Sequence, residues 1–242
     1  CTFRSLAGTT SSGYYDAKKE TKIKAVKQAI EAPDLSAMTD SNVISTKDSE
    51  EKIYAWWDSD SSTIYYYSKA PSIYLNADCS MLMAGLAGLT DISGLSGLKA
   101  DKVSNLYGAF KNCATLADFS GVTDWNTASL TSLAGTFSGC TALVNTDAFA
   151  NWNTKNVEDV YIFINYKNWD GIFKGCTALE DITGISNWKL SKVQNFKAAF
   201  YGCSKLTTLG HLDFSGGTDF TQAFYGCSSL RDLNGAATWD FK

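Results

Sequence analysis

A recurring pattern of phenylalanine, cysteine and leucine fills most of the second half of the chain and constrains its fold more than any other feature. The pattern Phe-x-x-Cys-x-x-Leu occurs five times, and the intervals between successive cysteines are 27, 36, 27 and 24 residues. A degenerate copy with Leu86 in the cysteine position precedes these five. Such intervals indicate an array of similar structural units. The motif residues are Phe110, Cys113, Leu116, Phe137, Cys140, Leu143, Phe173, Cys176, Leu179, Phe200, Cys203, Leu206, Phe224, Cys227 and Leu230.

One copy of the repeat is too small to fold alone. It carries roughly seven apolar positions, and burying an apolar side chain contributes about 1.5–3 kcal/mol. Ordering the backbone costs about 1–2 kcal/mol for each residue, so a single copy cannot offset its own entropy loss. We therefore predict an α/β solenoid of about six coils that bury each other's faces. In this prediction Leu-x-x-Ile/Leu segments form a parallel sheet, and the stretch before Phe-x-x-Cys forms a helical turn on the opposite face.

The first 78 residues lack the repeat and are predicted to form a small α+β capping region. Apolar residues at helical spacing that end before Pro33 predict a helix over residues 16–32. Aromatic segments at 52–58 and 63–68, separated by polar residues, predict a hairpin, and residues 73–75 predict a third strand. The predicted domains are therefore a cap over residues 1–78 and a solenoid over 79–242. Because the sequence stops inside a further copy of the repeat, we expect a longer natural chain.

Charge and composition exclude several classes of function. The chain has 21 basic and 25 acidic residues, a net charge of −4 and no basic block, which argues against nucleic acid and anionic membranes as partners. Its longest apolar runs are too short to span a bilayer. His211 is the single histidine, and the cysteines form no Cys-x-x-Cys pair. We therefore expect a protein without catalytic residues, metal site or cofactor.

The repeat resembles the BspA-like leucine-rich repeat, which is also described as the mycoplasma-lipoprotein or bacterial-surface-protein repeat. The similarity lies in the Trp-Asn-Thr segments at Trp125 and Trp152 and in Phe-x-Gly-Cys-Thr-Ala-Leu at Phe137 and Phe173. The aromatic segments within residues 53–76 also resemble the cap that precedes such repeats, so the likeness covers about residues 43–242. Phenylalanine or leucine in place of the usual methionine, a short last interval and one insertion depart from the family pattern. The resemblance implies a leucine-rich-repeat fold and an exported adhesive protein with no catalytic residues.

A polar column two residues after each repeat leucine is the first candidate binding surface. In the predicted strand these side chains point outward, side by side, so they would form an acidic stripe for a basic partner or a weakly held calcium ion. A solvated face without a ligand is the alternative. The column consists of Asp91, Asp118, Asn145, Asp181, Thr208 and Asp232.

An aromatic insertion at residues 161–169 is the second candidate. It includes Tyr161, Phe163, Tyr166 and Trp169. Insertions in repeat proteins map to loops, often on the binding face, and aromatic anchors dominate protein interfaces. The insertion is therefore predicted to be an exposed recognition or assembly loop, or else to fold down on its own coil.

The cysteines allow several interpretations. Those of the repeat motif are predicted to be small buried apolar residues, although neighbouring coils could bring some pairs within disulfide range. Cys79 lies outside the column. Cys1 is either a lipid-modified terminus or the result of trimming.

Taken together, these features predict a non-catalytic, extracellular or cell-surface protein that mediates adhesion. Its expected partner is a protein on a host or neighbouring cell, or a second copy of itself. One alternative is a structural subunit of a surface layer or filament. Another is a carbohydrate-binding module, which is favoured only if Trp56, Trp57 or Tyr65–Tyr67 lie exposed in one plane.

Overall fold

The computed structural model describes residues 20–165 and 168–231. This part of the chain contains short strands and 3₁₀ turns joined by irregular segments, and no helix in it is long and apolar enough to cross a membrane. The strands are β1 (Ala25–Gln28), β2 (Tyr54–Asp58), β3 (Thr63–Tyr67), β4 (Ile73–Tyr74), β5 (Leu98–Lys99), β6 (Tyr161–Asn165) and β7 (Asn168–Gly171). The 3₁₀ turns are Leu35–Ala37, Asp40–Asn42, Ser93–Gly97, Ser120–Val122, Asp147–Phe149 and Thr183–Ile185.

A three-stranded sheet in the order β1-β3-β2 forms the N-terminal part. The predicted hairpin is confirmed, because β2 and β3 pair antiparallel around the polar turn between them. The predicted third strand is found as β4, which pairs in parallel with β5.

The predicted helix over residues 16–32 is wrong for its described part, and residues 16–19 lie outside the described chain. Strand β1 occupies residues 25–28 instead, and it pairs in parallel with β3. Its other edge faces the first repeat, where the Val26 N–H donates to the Asp91 carbonyl over 3.0 Å. Hydrogen bonds on both edges of an extended segment therefore replace the bonds that a helix would make internally.

The predicted α/β solenoid with a parallel sheet is wrong. The described residues contain no α-helix, and their sheets have only two or three short strands. The segments after Leu116, Leu143 and Leu179, which were expected to be strands, lead into 3₁₀ turns instead, as at Ser120–Val122. Neither a strand nor a 3₁₀ turn directly follows Leu206. Parallel pairing between repeats is limited to single-residue bridges, such as those that join Asp78 to Asn105 and Asn105 to Ser132.

Hydrogen bonds between turns join one repeat to the next. The Gly108 N–H donates to the Ala134 carbonyl and the Phe110 N–H to the Thr136 carbonyl, both over 2.9 Å. The residue two before most of the motif phenylalanines has a left-handed backbone, with φ of 56° at Gly108 and 53° at Ala198. A left-handed residue interrupts a right-handed helix, so alternate N–H groups point toward the next repeat.

Apolar side chains stack in files through the interior. The motif phenylalanines form one file with nearly parallel neighbouring rings and centroids 5.3–6.0 Å apart, which confirms their predicted alignment. Trp125, Trp152 and Trp188 form a second file, with centroids 6.4 and 6.3 Å apart. One hydrophobic cluster extends from Ile23 to Phe214. The division into domains at residues 78 and 79 stays a prediction.

Candidate functional site

The insertion forms an antiparallel hairpin, β6–β7, at an interruption between repeats. The run of single-residue bridges through Asp78, Asn105, Ser132 and Asp159 stops at Asp159, and β6 begins two residues later. A separate bridge joins Asn195 to Asp219 after the hairpin. The hairpin is therefore an extra element between two otherwise similar repeats.

A buried carboxylate fixes the returning strand of this hairpin. Asp170 in β7 is only 3 % exposed. Its side chain forms an ion pair and a hydrogen bond with the buried Lys111 ammonium and a second ion pair with Lys174 at 3.4 Å. The Ser138 hydroxyl donates to the same carboxylate over 2.8 Å. We call Asp170, Lys111, Lys174 and Ser138 the hairpin clamp.

The electrostatics of the hairpin clamp are those of a closed ion-pair cluster. Burial lowers the pKa of Lys111 below its usual value, and the negative charge of Asp170 acts in the opposite direction. Burial also raises the pKa of the nearby Tyr107 hydroxyl, and the charge of Asp170 adds to this shift. A buried charge is tolerated only where it is paired and hydrogen-bonded, so these residues hold the hairpin in place.

The base of the hairpin folds down while its tip stays exposed. The Lys174 ammonium lies 3.7 Å from the centroid of the Trp169 ring, and the Trp169 and Tyr201 rings are nearly perpendicular, with centroids 5.3 Å apart. Tyr161 lies beneath the Lys197 ammonium, 5.7 Å from ring centroid to nitrogen. Phe163 and Ile164 are 53 % and 49 % exposed. Of the predicted aromatic residues, Phe163 is therefore the one displayed, and Tyr166 lies outside the described residues.

The predicted acidic column has a local structural role. In each of Asp91, Asp118, Asn145 and Asp181, a side-chain oxygen accepts the backbone N–H two residues later, over 2.6–3.1 Å. Thr208 accepts the N–H of Gly210 in the same way, and Asp232 lies outside the described residues. Such bonds order the backbone at a turn, as short polar side chains do. Each of the first four residues lies two positions before a 3₁₀ turn.

Charge in the column is partly neutralised. Burial tends to raise the pKa of Asp91, but the hydrogen bonds from Ser93 and the ion pair with Lys27 at 3.0 Å outweigh it and lower the pKa. Within residues 20–165 and 168–231, no group of three histidine, cysteine or acidic side chains is placed to hold a metal ion. The column thus orders turns, and a ligand for it stays a prediction.

The motif cysteines are free and make hydrogen bonds between repeats. The Cys140 thiol donates to the Phe110 carbonyl over 3.1 Å, and Cys176 donates to the Phe137 carbonyl over the same distance. Burial raises the pKa of Cys140 to about 12. All cysteines in the described chain are unbridged, and Cys1 lies outside it. The prediction of buried apolar cysteines is confirmed for four of the five, while Cys227 is partly exposed.

Carbohydrate binding was expected only if the aromatic residues of the N-terminal sheet lie exposed in one plane, and the sheet meets this condition only in part. Trp56 and Tyr65 are half-buried cross-strand neighbours, with ring centroids 5.8 Å apart and planes 24° apart. Trp57 packs against the core and Tyr66 is buried, so neither belongs to an exposed plane.

Comparison with known proteins identifies the family. The family described as "Mycoplasma protein of unknown function, DUF285" matches residues 84–171 and 104–239, which is more than half of the chain. The chain belongs to this family. The match supports the mycoplasma part of the sequence resemblance rather than a BspA-like leucine-rich repeat, and it is compatible with a bacterial surface repeat protein. No curated protein and no solved structure matches the chain.

Sequence reasoning missed the hairpin clamp. Lys111, Ser138 and Lys174 each follow a motif phenylalanine, in a position that the last two repeats fill with Tyr201 and Tyr225. Lysine is rarely buried unless it is paired with an acidic residue. Lysines directly after two core phenylalanines therefore indicate an acidic partner nearby. Asp170 directly follows the insertion, and the equivalent position, three residues before the motif phenylalanine, holds no acidic residue in the other four repeats, so no spacing argument identifies it.

Proposed function

We propose that this chain is a non-catalytic surface protein that binds other proteins through the tip of hairpin β6–β7. The observation that carries the proposal is an apolar tip, Phe163 and Ile164, displayed on a base that a buried ion-pair cluster fixes. The single histidine and the capping role of the acidic column give no support to a catalytic function.

The physical argument combines exposure with rigidity. Aromatic side chains in the centre of an interface supply much of the binding energy. A hairpin that is already fixed loses less conformational freedom when it binds than a flexible loop does. An exposed apolar tip on a fixed base is therefore better explained by binding to a partner than by a contribution to the stability of the free protein.

The expected location is the cell surface or the extracellular space. Membership of a mycoplasma family and the resemblance of the motif to bacterial surface repeats support this location. The expected partner is a protein on a host or neighbouring cell.

Binding of the fluorescently labelled protein to intact host cells tests the proposal. The double variant Phe163→Ser/Ile164→Ser should lose most binding while keeping the wild-type unfolding transition, because the tip contributes little buried area. Val144→Ser is the matched control, since Val144 is also an exposed apolar residue but lies in a repeat. Equal binding by the double variant and the wild type would reject the tip as the recognition element.

Self-association is the alternative role of the same tip. In sedimentation experiments, concentration-dependent assembly of the wild type that the double variant lacks would assign the tip to a structural subunit. A monomer at all concentrations, together with cell binding, supports adhesion.

Carbohydrate binding is a second candidate, favoured by the half-exposed Trp56–Tyr65 pair. A sugar ring stacked on this pair would change tryptophan fluorescence, and Trp56→Ala would abolish the change. The absence of any saturable change across a panel of oligosaccharides would remove this candidate.

A further inference from the structure

A pocket lies where the N-terminal segment meets the first repeat. Its walls come from residues 44–53, from β4 and the residues after it, and from Leu82 and Leu98 of the repeat region. The volume is about 130 Å³. An engineered apolar cavity of about 150 Å³ is known to bind benzene, so this space is of the size of one aromatic ring.

The floor of the pocket is apolar. Ile73, Leu82 and Leu98 are buried side chains of the core that reach its surface, and Ile44 and Ile53 are half-buried residues beside them. Polar residues, among them Ser45, Thr46 and Ser49, line the rest of the space, so the pocket suits a ligand with an apolar ring and one polar end.

The mouth of the pocket is polar and acidic. Asp78 is an exposed residue there, and among the described residues that line the pocket it is the one that carries a charge. Its Oδ1 atom accepts from the Ser80 N–H over 2.9 Å and from the Asn105 amide over 3.1 Å. These two hydrogen bonds hold the carboxylate in position. The Tyr74 side chain, 52 % exposed, also lines the mouth.

We propose that this pocket binds a small aromatic amine, with the ring on the apolar floor and the ammonium group beside Asp78. The volume is too small for a helix or a folded peptide segment, and the negative charge at the mouth disfavours an aromatic acid of the same shape. The site lies on the N-terminal sheet side of the chain and is separate in sequence from hairpin β6–β7.

Cys79 supplies a reporter inside the pocket. Its thiol lines the space and donates to the Asn76 carbonyl over 3.2 Å. Burial raises the pKa of Cys79 to about 11, and burial has the same effect on Cys227, whose pKa is also about 11. The two thiols therefore resist ionisation alike, but Cys227 does not line this pocket.

The experiment combines titration calorimetry with alkylation mapped by mass spectrometry on the full chain. The probe is 2-phenylethylamine, and phenylacetate is its counterpart of similar shape and opposite charge. Saturable binding of the amine, weaker binding of the acid, and slower alkylation of Cys79 with unchanged alkylation of Cys227 are the expected results. No saturable binding of the amine, or binding without protection of Cys79, overturns the proposal.

Variants separate the contributions of charge and shape. Asp78→Asn keeps the oxygen that caps Ser80 and should weaken amine binding about two- to fivefold, as expected for an exposed ion pair. Asp118→Asn is the control, because Asp118 caps Ser120 in the same way but lies outside the pocket. Leu75→Trp places a larger side chain at a half-buried wall position and should abolish binding. Unchanged affinity in both Asp78→Asn and Leu75→Trp, with the fold intact, would contradict the assignment.

Discussion

At the scale of single residues, cysteine and tryptophan act in this chain as donors between repeats. The Cys140 thiol bonds to Phe110 of the preceding repeat, and the Trp152 indole donates to Val122 over 3.0 Å. Each bond is a second one to its carbonyl, because the Phe110 carbonyl also accepts the Cys113 N–H and the Val122 carbonyl also accepts the Trp125 N–H. The described chain has no repeat copy ahead of Leu86 to offer such a carbonyl, which explains why leucine is sufficient there.

Removing a buried motif thiol should therefore cost more than removing an exposed one. Cys140→Ala leaves a cavity and removes one of the two hydrogen bonds to the Phe110 carbonyl, for an expected loss of about 1–3 kcal/mol in the free energy of unfolding. Cys227→Ala removes the same bond, to Phe200, where water has access, and should cost less. Chemical denaturation measures both. Equal losses would show that the thiol bond to the preceding repeat is not what the position requires.

Two aspartates that form single-residue bridges between repeats, Asp159 and Asp219, should respond to pH with opposite sign. Burial, with repulsion from Glu158, raises the pKa of Asp159, so its charged form destabilises the fold at neutral pH. Hydrogen bonding from Thr221, together with Lys197 at 3.0 Å, lowers the pKa of Asp219 despite its partial burial. The stability that Asp219 contributes is present above its unfolded pKa and is lost as pH falls through the folded value.

Unfolding measured across pH tests this difference. Asp159→Asn should stabilise the protein at pH 7, and the gain should disappear once acid protonates the wild-type carboxylate. Asp219→Asn should destabilise it at pH 7, and the cost should fade in acid. The same sign of effect for both variants at neutral pH would contradict the account.

At the scale of elements, the hairpin clamp determines the position of β6–β7. Asp170→Ala leaves Lys111 buried without its carboxylate, and breaking a buried pair in this way costs about 3–5 kcal/mol. Glu180→Ala is the control, because its ion pair with Lys205 at 3.3 Å is exposed and worth at most about 1 kcal/mol. Denaturation curves for both variants give the comparison. A loss for Asp170→Ala no larger than that for Glu180→Ala would mean that the clamp does not hold the hairpin.

The left-handed turn position offers a second test at this scale. Gln222 has φ of 57°, which costs a residue with a side chain about 1–2 kcal/mol relative to a right-handed conformation. Gln222→Gly should therefore be neutral or stabilising. Gln194→Gly, at an exposed position of the preceding repeat, should destabilise by about 0.5–1 kcal/mol. If both substitutions destabilise the protein equally in thermal unfolding, the turn geometry is not what constrains position 222.

The sequence predicted some elements and failed for others for identifiable reasons. The hairpin β2–β3 followed from aromatic segments around a polar turn, which is a local signal. The helix was wrong because Ala25 and Val26 are both buried, so the segment is enclosed on both faces of a strand, whereas Ile30, which completed the helical pattern, is fully exposed. Pairing with β3 and with Asp91, which decides the conformation, involves residues far away in sequence.

At the scale of the whole molecule, the spacing of the repeat motif predicted which side chains pack together, but it did not predict the backbone conformation that connects them. The file of phenylalanines follows directly from the motif interval. The predicted parallel sheet is wrong, since hydrogen bonds between repeats run through the turns before Phe110 and Phe200 instead. Gly108 indicates a left-handed residue in the sequence, because glycine favours that conformation. Ala198 has the same backbone conformation, but an alanine does not indicate it. The hairpin clamp was not predictable because Asp170 and Lys111 are 59 residues apart.

Amide hydrogen exchange resolved by NMR tests the central structural claim, that turns joined in register hold the repeats together and carry the hairpin. The N–H groups of Phe110, Phe173 and Phe200 donate to the next repeat over 2.9, 2.9 and 2.8 Å. The account predicts that these three amides exchange slowly and together with the buried base of the hairpin, through one cooperative opening. Exchange of these amides as fast as in an unfolded peptide, while the rest of the core stays protected, would contradict it.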